Sequence, residues 1–245
     1  MLLVHGTGTD SRFFAETVAL LPEDRSALAF DRPGWGLSRP PEDYRRTSVF
    51  EQASIALGEV RRYDLERVDV IGVGLGAVVG LEVALAEPER VGSVALVEPP
   101  LLGLLPGATA GVSADADSIA AAVRAGGEGE AYELFLSGGL PVLGAGADRL
   151  GILADRGSPA PRSFLVEVPA VPDWPLDRAR FQRLEAELNV VTAASTPVLL
   201  EEAADQFTAW LGEGEITAGR TRLAESDLPL AVASLPRSPS GPRDD

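Results

Sequence analysis

Apolar and polar positions alternate in blocks along the first 98 residues. Four compact apolar runs predict buried strands, at residues 2–4, 26–30, 68–73 and 94–97. Three stretches between them carry apolar residues at helical spacing, at residues 12–21, 47–63 and 75–87. Strands that alternate with helices are typical of a parallel sheet covered by helices on both faces. The pattern therefore predicts an α/β core.

The pattern changes after residue 98. Residues 99–186 are rich in Gly and Pro, and 164–166 is the one segment there that favours a strand. Helical patterns recur within this region, at residues 117–124, 130–136 and 176–188. We interpret 99–186 as a mainly helical cap inserted over one end of the sheet.

The strand and helix pattern resumes towards the end of the chain. A strand, a helix, a weak strand and a short helix are predicted in that order, at residues 188–192, 196–211, 215–218 and 226–235. The last segment, 236–245, is rich in Pro and charge and is predicted to be disordered. The predicted division is thus a core of 1–98 and 187–235, a cap and a tail.

Composition excludes several classes of chemistry. The 245 residues carry a formal charge of −16, which argues against nucleic acid and membrane surfaces as partners because phosphate binding needs clustered cations. The chain has no Cys, and all 21 basic residues are Arg, so thiolate and Schiff-base chemistry are absent. Its one histidine is His5. We expect neither a cofactor nor a metal.

The sequence also favours a location. The longest nearly apolar run, residues 70–81, is too short to span a bilayer. The N-terminus lacks a basic stretch followed by an apolar run and a cleavage site, so we expect no signal peptide. A cytoplasmic protein is the resulting expectation.

Three motifs stand at the ends of predicted strands. They are LVHGTG at residues 3–8, DRPGWGLS at 31–38 and VIGVGLG at 70–76. In this order and on these elements, they resemble the α/β-hydrolase superfamily. The resemblance covers residues 2–98 well and 187–235 loosely, and it implies that 99–186 is the family's cap.

The third motif departs from the family at its central position. The family's nucleophile elbow, G-x-S-x-G, holds a serine hydroxyl above the sheet. Here Gly72 and Gly76 keep the frame, but Gly74 stands where the serine belongs. An acyl-enzyme cannot form on a glycine, so ordinary serine hydrolysis is not expected.

The other triad positions also lack the expected residues. The stretch 192–197, where the resemblance would put the acid, has no carboxylate. Arg220 stands where the histidine is expected, and an arginine cannot act as a base near neutral pH. We interpret the three changes together as loss of the catalytic triad.

The resemblance still implies an oxyanion site. In the family, backbone N–H groups at the positions of Thr7 and Leu75 bind the oxyanion, and neither depends on a side chain. Glu98, at the end of a strand, and His5 are the candidate proton-transfer groups; the alternatives are a loop carboxylate and a structural histidine. We therefore predict a cofactor-free, non-hydrolytic catalyst, such as a lyase or cyclase, for a small apolar carbonyl compound.

Three further side chains are predicted to contact the substrate, Trp35, Trp174 and Arg220. A second interpretation is a pseudoenzyme that binds a small ligand or a partner. A third is dinucleotide binding, because Gly72-x-Gly74-x-x-Ala77 also fits the G-x-G-x-x-G/A fingerprint between a strand and a helix. Against the third, the other two motifs would be left unexplained.

The start of the chain raises a separate expectation. The family usually has two edge strands before the His-Gly strand, but here that strand begins at Leu2. Missing edge strands would expose a new sheet edge, which invites pairing with another chain. Two alternatives follow: either the true start of the protein lies upstream, or the sheet is short and pairs with a second copy to form a homodimer.

Overall fold

The computed structural model describes residues 1–145, 147 and 159–224. These residues form one six-stranded sheet in the order β2-β1-β3-β4-β5-β6, with every neighbouring pair parallel. The strands are β1 (Leu2–Val4), β2 (Leu28–Ala29), β3 (Val68–Val73), β4 (Val91–Val97), β5 (Glu187–Ala193) and β6 (Ala218–Leu223). The predicted parallel α/β fold is confirmed.

Eight α-helices connect and cover the strands of the described chain. They are α1 (Ala15–Ala19), α2 (Val49–Arg62), α3 (Leu75–Ala86), α4 (Ala108–Gly126), α5 (Glu128–Leu136), α6 (Ala160–Glu167), α7 (Arg178–Phe181) and α8 (Val198–Glu213). Apolar residues of α2, α3 and α8 pack on one face of the sheet, while Phe13 and Phe14 pack on the other. The two faces follow from the alternation of side chains along each strand.

Helix α3 lies at the centre of the core. All its residues from Leu75 to Leu85 are buried, which explains why every one of them except Glu82 is apolar. Gly80 lets the helix approach the sheet, because a Cβ atom there would lie 2.7 Å from a methyl group of Val70. The apolar sequence therefore fixes the helix that follows β3, directly beneath the candidate site.

Helices α4 to α7 fill the described part of the region between β4 and β5. The predicted strand at 164–166 is wrong, since these residues lie in α6. Ala160 and Phe164, one helical turn apart, are both buried beside Tyr132 and Phe135 of α5. A three-residue apolar run cannot distinguish a strand from one face of a helix.

Four other predictions need correction or fall outside the described residues. The helix predicted at 176–188 is only the single turn α7, which Asp177 caps before the chain enters β5. The weak strand predicted at 215–218 is found at β6 instead, because Arg and Thr on a sheet edge lack an apolar signal. The predicted helix 226–235 and tail 236–245 lie outside the described residues. No described helix is long and apolar enough to cross a membrane.

Candidate functional site

A cavity of about 330 Å³ opens at the carboxyl ends of the strands. Its floor is formed by residues that follow β1, β3 and β4, and helices α4, α5 and α6 supply part of its wall. Most lining residues are apolar. The lining residues with polar side chains are Thr7, Glu98, Thr109, Glu167 and Trp174. Ligands of open parallel sheets bind at this edge, so the cavity is the candidate site.

The turn between β3 and α3 has the backbone of an elbow without its side chain. Gly74 has φ 56° and ψ −124°, a conformation that L side chains rarely adopt. Its N–H donates to the Val97 carbonyl oxygen at 2.9 Å. A Cβ atom on Gly74 would meet only the Cα of Gly6, at 3.9 Å. The space above the elbow is therefore open to the cavity.

The two flanking glycines are required by packing. A Cβ atom on Gly72 would lie 2.2 Å from the carbonyl oxygen of Gly76, and one on Gly76 would lie 2.2 Å from that of Val4. Either substitution would force the helix away from the sheet. Close contact between helix and sheet thus explains the glycine spacing that also suggested a dinucleotide fingerprint.

Two backbone N–H groups flank the elbow. Thr7 follows β1 and Leu75 begins α3, and both line the cavity. Among the backbone hydrogen bonds outside the helices and strands of the described chain, neither N–H donates to a carbonyl. The start of α3 also carries the positive end of the helix dipole. This edge of the cavity therefore offers donors to an electronegative atom.

Glu98 lies beside the elbow because of the strand register. Val73 pairs with Val97, so Gly74 and Glu98 are the next residues along two neighbouring strands. Glu98 has φ 49° and is 4% exposed, and its N–H donates to the Val191 carbonyl oxygen at 2.9 Å. Its carboxylate accepts a hydrogen bond from the Thr196 hydroxyl. The backbone and this hydroxyl fix the carboxylate at the cavity wall.

His5 is held by backbone atoms on both sides of its ring. Nδ1 lies 2.8 Å from the Gly6 carbonyl oxygen, and Nε2 accepts the backbone N–H of Arg32 at 3.0 Å. Full burial, followed by the positive charge of Arg32, holds the pKa of His5 well below its usual range. The imidazole is not among the residues that line the cavity. This geometry favours the structural alternative for His5.

Glu167, which sequence reasoning missed, is the most densely bonded polar side chain at the site. Its carboxylate accepts from Arg32 Nη1 at 2.5 Å and Nη2 at 3.2 Å, from Trp35 Nε1 at 2.8 Å and from Thr7 Oγ1 at 3.0 Å. It lies at the end of α6, more than 130 residues from all three donors. The sequence offers one clue, since Arg32 sits in a motif and needs a carboxylate if buried, but it does not say which one.

The three predicted substrate contacts have different surroundings. Trp174 lines the cavity, and its Nε1 donates to Glu82 at 2.7 Å. Trp35 is fully buried behind Glu167 and is not a lining residue.

Arg220 lies on β6, within the strand and not after it. It pairs with Glu201 at 2.6 Å and Asp205 at 3.0 Å, and it does not line the cavity. These ion pairs to α8 explain its position.

The charge of the cavity lining limits its ligands. The described lining residues include the carboxylates of Glu98 and Glu167 and no cationic side chain. Arg32 neutralises Glu167 from behind. The described residues also contain no group of three or more His, Cys, Asp or Glu with the geometry of a metal site. The arrangement suits a neutral molecule with an electronegative atom near the elbow.

The parallel sheet, the glycine elbow at the end of β3 and the cavity above it define the α/β-hydrolase class of fold. The chain belongs to the alpha/beta hydrolase family, whose model matches residues 1–239.

The chain is also similar to individual proteins and solved structures. A putative carbamate hydrolase RutD from Pseudomonas savastanoi pv. phaseolicola is 34% identical over 99 residues, which cover 40% of this chain and 37% of that protein. An alpha/beta hydrolase from Sphaerobacter thermophilus DSM 20745 superimposes with a TM-score of 0.67 at 21% identity, covering 95% of this chain and 88% of that one. The enol-lactonase from Burkholderia xenovorans LB400 superimposes with a TM-score of 0.56 at 18% identity, covering 93% of this chain and 83% of that one. The structural matches establish the fold alone.

Proposed function

We propose that this protein is a cofactor-free, non-hydrolytic catalyst. It removes a proton from the carbon next to the carbonyl group of a small, neutral, largely apolar compound, and returns a proton to the product. The observation that carries the proposal is the elbow itself. Gly74 leaves open space where a nucleophile would stand, while two backbone donors and a carboxylate remain around that space. Such a site can bind and polarise a carbonyl group without forming a covalent bond to it.

The backbone donors supply the electrostatic part of the reaction. We assign the N–H groups of Thr7 and Leu75 the role of an oxyanion hole, because both residues line the cavity beside the elbow. Donors fixed by the fold need no reorganisation when charge develops on the carbonyl oxygen. The dipole of α3 adds to the stabilisation at its N-terminus.

Glu98 is the proton-transfer group of the proposal. Its carboxylate removes a proton from the carbon next to the carbonyl, and the bonding electrons form an enolate whose oxygen accepts from the two N–H groups. Return of the proton to the same carbon gives exchange, and return to a conjugated carbon gives isomerisation. His5 takes no part, because both its ring nitrogens are bonded to backbone atoms.

Serine hydrolysis is not part of this proposal. A triad needs a nucleophile at position 74 and a histidine, but the residue is Gly74 and the one histidine of the chain is His5. We expect hydrolysis of p-nitrophenyl acetate to stay at the background rate. Turnover that a serine-directed inhibitor abolishes would contradict the proposal.

The direct test follows proton exchange on acetophenone, a neutral ketone with enolisable protons. In deuterated buffer, NMR should show catalysed loss of its methyl proton signal. Glu98→Gln keeps the size of the side chain but removes the base, so the rate should fall roughly 100-fold or more. Glu202→Gln, on an exposed part of α8, is the matched control and should leave the rate unchanged.

Two outcomes would contradict this assignment. Full exchange activity in Glu98→Gln would exclude Glu98 as the base. Saturable binding of acetophenone without exchange by the wild-type protein would favour a binding protein over a catalyst.

A further inference from the structure

We propose that Glu167 is a positioning residue, which fastens the cap helix α6 to the turn of residues 5–7 and so fixes the direction of the Thr7 N–H. This inference rests on the proposed function, because it concerns one of the two donors assigned to the oxyanion hole. Among the described lining residues, Glu167 is the one carboxylate that the proposed reaction leaves unused, and this inference assigns it a role.

The contacts of Glu167 reach the turn directly. Thr7 Oγ1 donates to Glu167 Oε2 at 3.0 Å, across 160 residues of chain. Arg32 and Trp35 provide three more hydrogen bonds, so each carboxylate oxygen has two donors. A carboxylate with four donors in a fully buried pocket has a single orientation. The Thr7 side chain is held by that orientation.

Arg32 holds the other end of the same turn. Its Nε donates to the carbonyl oxygen of His5 at 3.0 Å, and its backbone N–H donates to the imidazole at 3.0 Å. Hydrogen bonds therefore hold the turn at His5, through Arg32, and at Thr7, through Glu167. With both sides fixed, the peptide N–H of Thr7 between them has little freedom to rotate.

Stability alone is a poor explanation for this arrangement. A buried ion pair loses the hydration of both charges, and apolar side chains of similar size often stabilise a fold equally well. What an apolar contact cannot do is orient a neighbouring donor. Fixed donors contribute most where charge develops in the reaction, and Thr7 lines the cavity beside the elbow.

The test measures how strongly the site polarises a carbonyl group. Acetophenone labelled with ¹³C at the carbonyl carbon is bound to the protein, and its chemical shift is recorded. The wild-type protein should move the signal downfield, because hydrogen bonds draw electrons from the carbonyl carbon.

Thr7→Val replaces the hydroxyl with a methyl group and leaves the Arg32 and Trp35 bonds to Glu167 in place. The downfield displacement should fall to about half, since one of two donors loses its alignment, and Kd should rise on the order of fivefold. Thr7→Ser keeps the hydroxyl and should recover most of the displacement. Ser163→Ala is the control on α6, because this buried hydroxyl has no hydrogen-bond partner. It should leave the displacement unchanged.

The outcomes separate this inference from the proposed function. If the wild-type protein bound acetophenone without displacing its ¹³C signal, both the proposed function and the positioning role of Glu167 would be contradicted. A displaced wild-type signal that Thr7→Val leaves unaltered, with the variant folded by circular dichroism, would overturn the positioning role alone. An equal loss in Ser163→Ala would also overturn it, because the effect would then come from any change in α6.

Discussion

Two arginines of this protein make similar sets of bonds in different surroundings. Arg32 pairs with Glu167, and neither side chain is exposed to solvent. Arg220 pairs with Glu201 and Asp205 on the outer face of α8, where the three side chains are 24%, 19% and 68% exposed. The sequence suggested a site role for Arg220, but Arg32 is the one that reaches the cavity wall through its partner. Burial, and not the identity of the residue, separates the two.

The difference has a physical cause. At Arg220, water screens the charges and replaces any partner that is lost, so the net contribution is small. At Arg32, removal of one partner leaves a charge in the interior with nothing to solvate it. Three experiments test whether burial causes this difference between the two arginines.

The largest expected effect is that of Glu167→Leu. Arg32 would remain buried without its counter-charge, so the free energy of unfolding should fall by about 3–5 kcal/mol. Urea denaturation at neutral pH measures this change. The double variant Arg32→Met, Glu167→Leu removes both charges and should recover part of the loss. If the double variant were no more stable than the single one, an uncompensated charge would not be the cause.

The next effect is the response of stability to acid, which depends on His5. Burial and the charge of Arg32 lower the pKa of His5 in the folded protein, so below about pH 6.5 the unfolded chain takes up a proton that the folded one refuses. The free energy of unfolding should therefore fall by about 1.4 kcal/mol per pH unit from this group as the pH drops below 6.5.

Carboxylates also contribute to acid unfolding, so the measurement compares His5→Asn with the wild-type protein between pH 7.5 and 5.5. In the variant, the free energy of unfolding should fall less steeply with decreasing pH, because the contribution of His5 is absent, whatever the stability of the variant at pH 7.5. Equal slopes in the two proteins would show that the imidazole takes up its proton as readily in the folded protein as in the unfolded chain.

The smallest effect is expected at Arg220. Arg220→Met should lower the free energy of unfolding by about 1 kcal/mol or less, and the difference should shrink in high salt. Acetophenone binding should be unaffected, because Arg220 does not line the cavity. A clear loss of binding would restore the predicted substrate contact.

Local signals in the sequence were sufficient for most of the core. The apolar runs at β1, β3 and β4 and the glycine frame around Gly74 predicted both the sheet and the elbow. Errors occurred where local signals are weak. The segment 164–166 is too short to show a period, and the polar strand β6 on the sheet edge carries no apolar alternation.

Some residues of the candidate site could likewise be predicted from the sequence, and others could not. Thr7 and Leu75 could be proposed from the resemblance to the α/β-hydrolase superfamily, which implies an oxyanion hole at their positions. Glu98 could be proposed because it directly follows β4, at the edge of the sheet where ligands bind. Glu167 and the surroundings of Trp35 could not be proposed. Their bonds join residues more than 130 positions apart, and no local pattern specifies which distant carboxylate a buried arginine will meet.

The α/β core, the missing side chain at position 74 and the lack of a second histidine could all be read from the amino-acid sequence, since they depend on local periodicity and on which residues are present. Three other features became visible only in the folded chain: His5 is enclosed by backbone atoms, Arg220 bonds to α8, and Glu167 joins α6 to the turn at Thr7. The reason is that burial and the pairing of charges arise between segments far apart in the chain, and they exist only after the chain has folded.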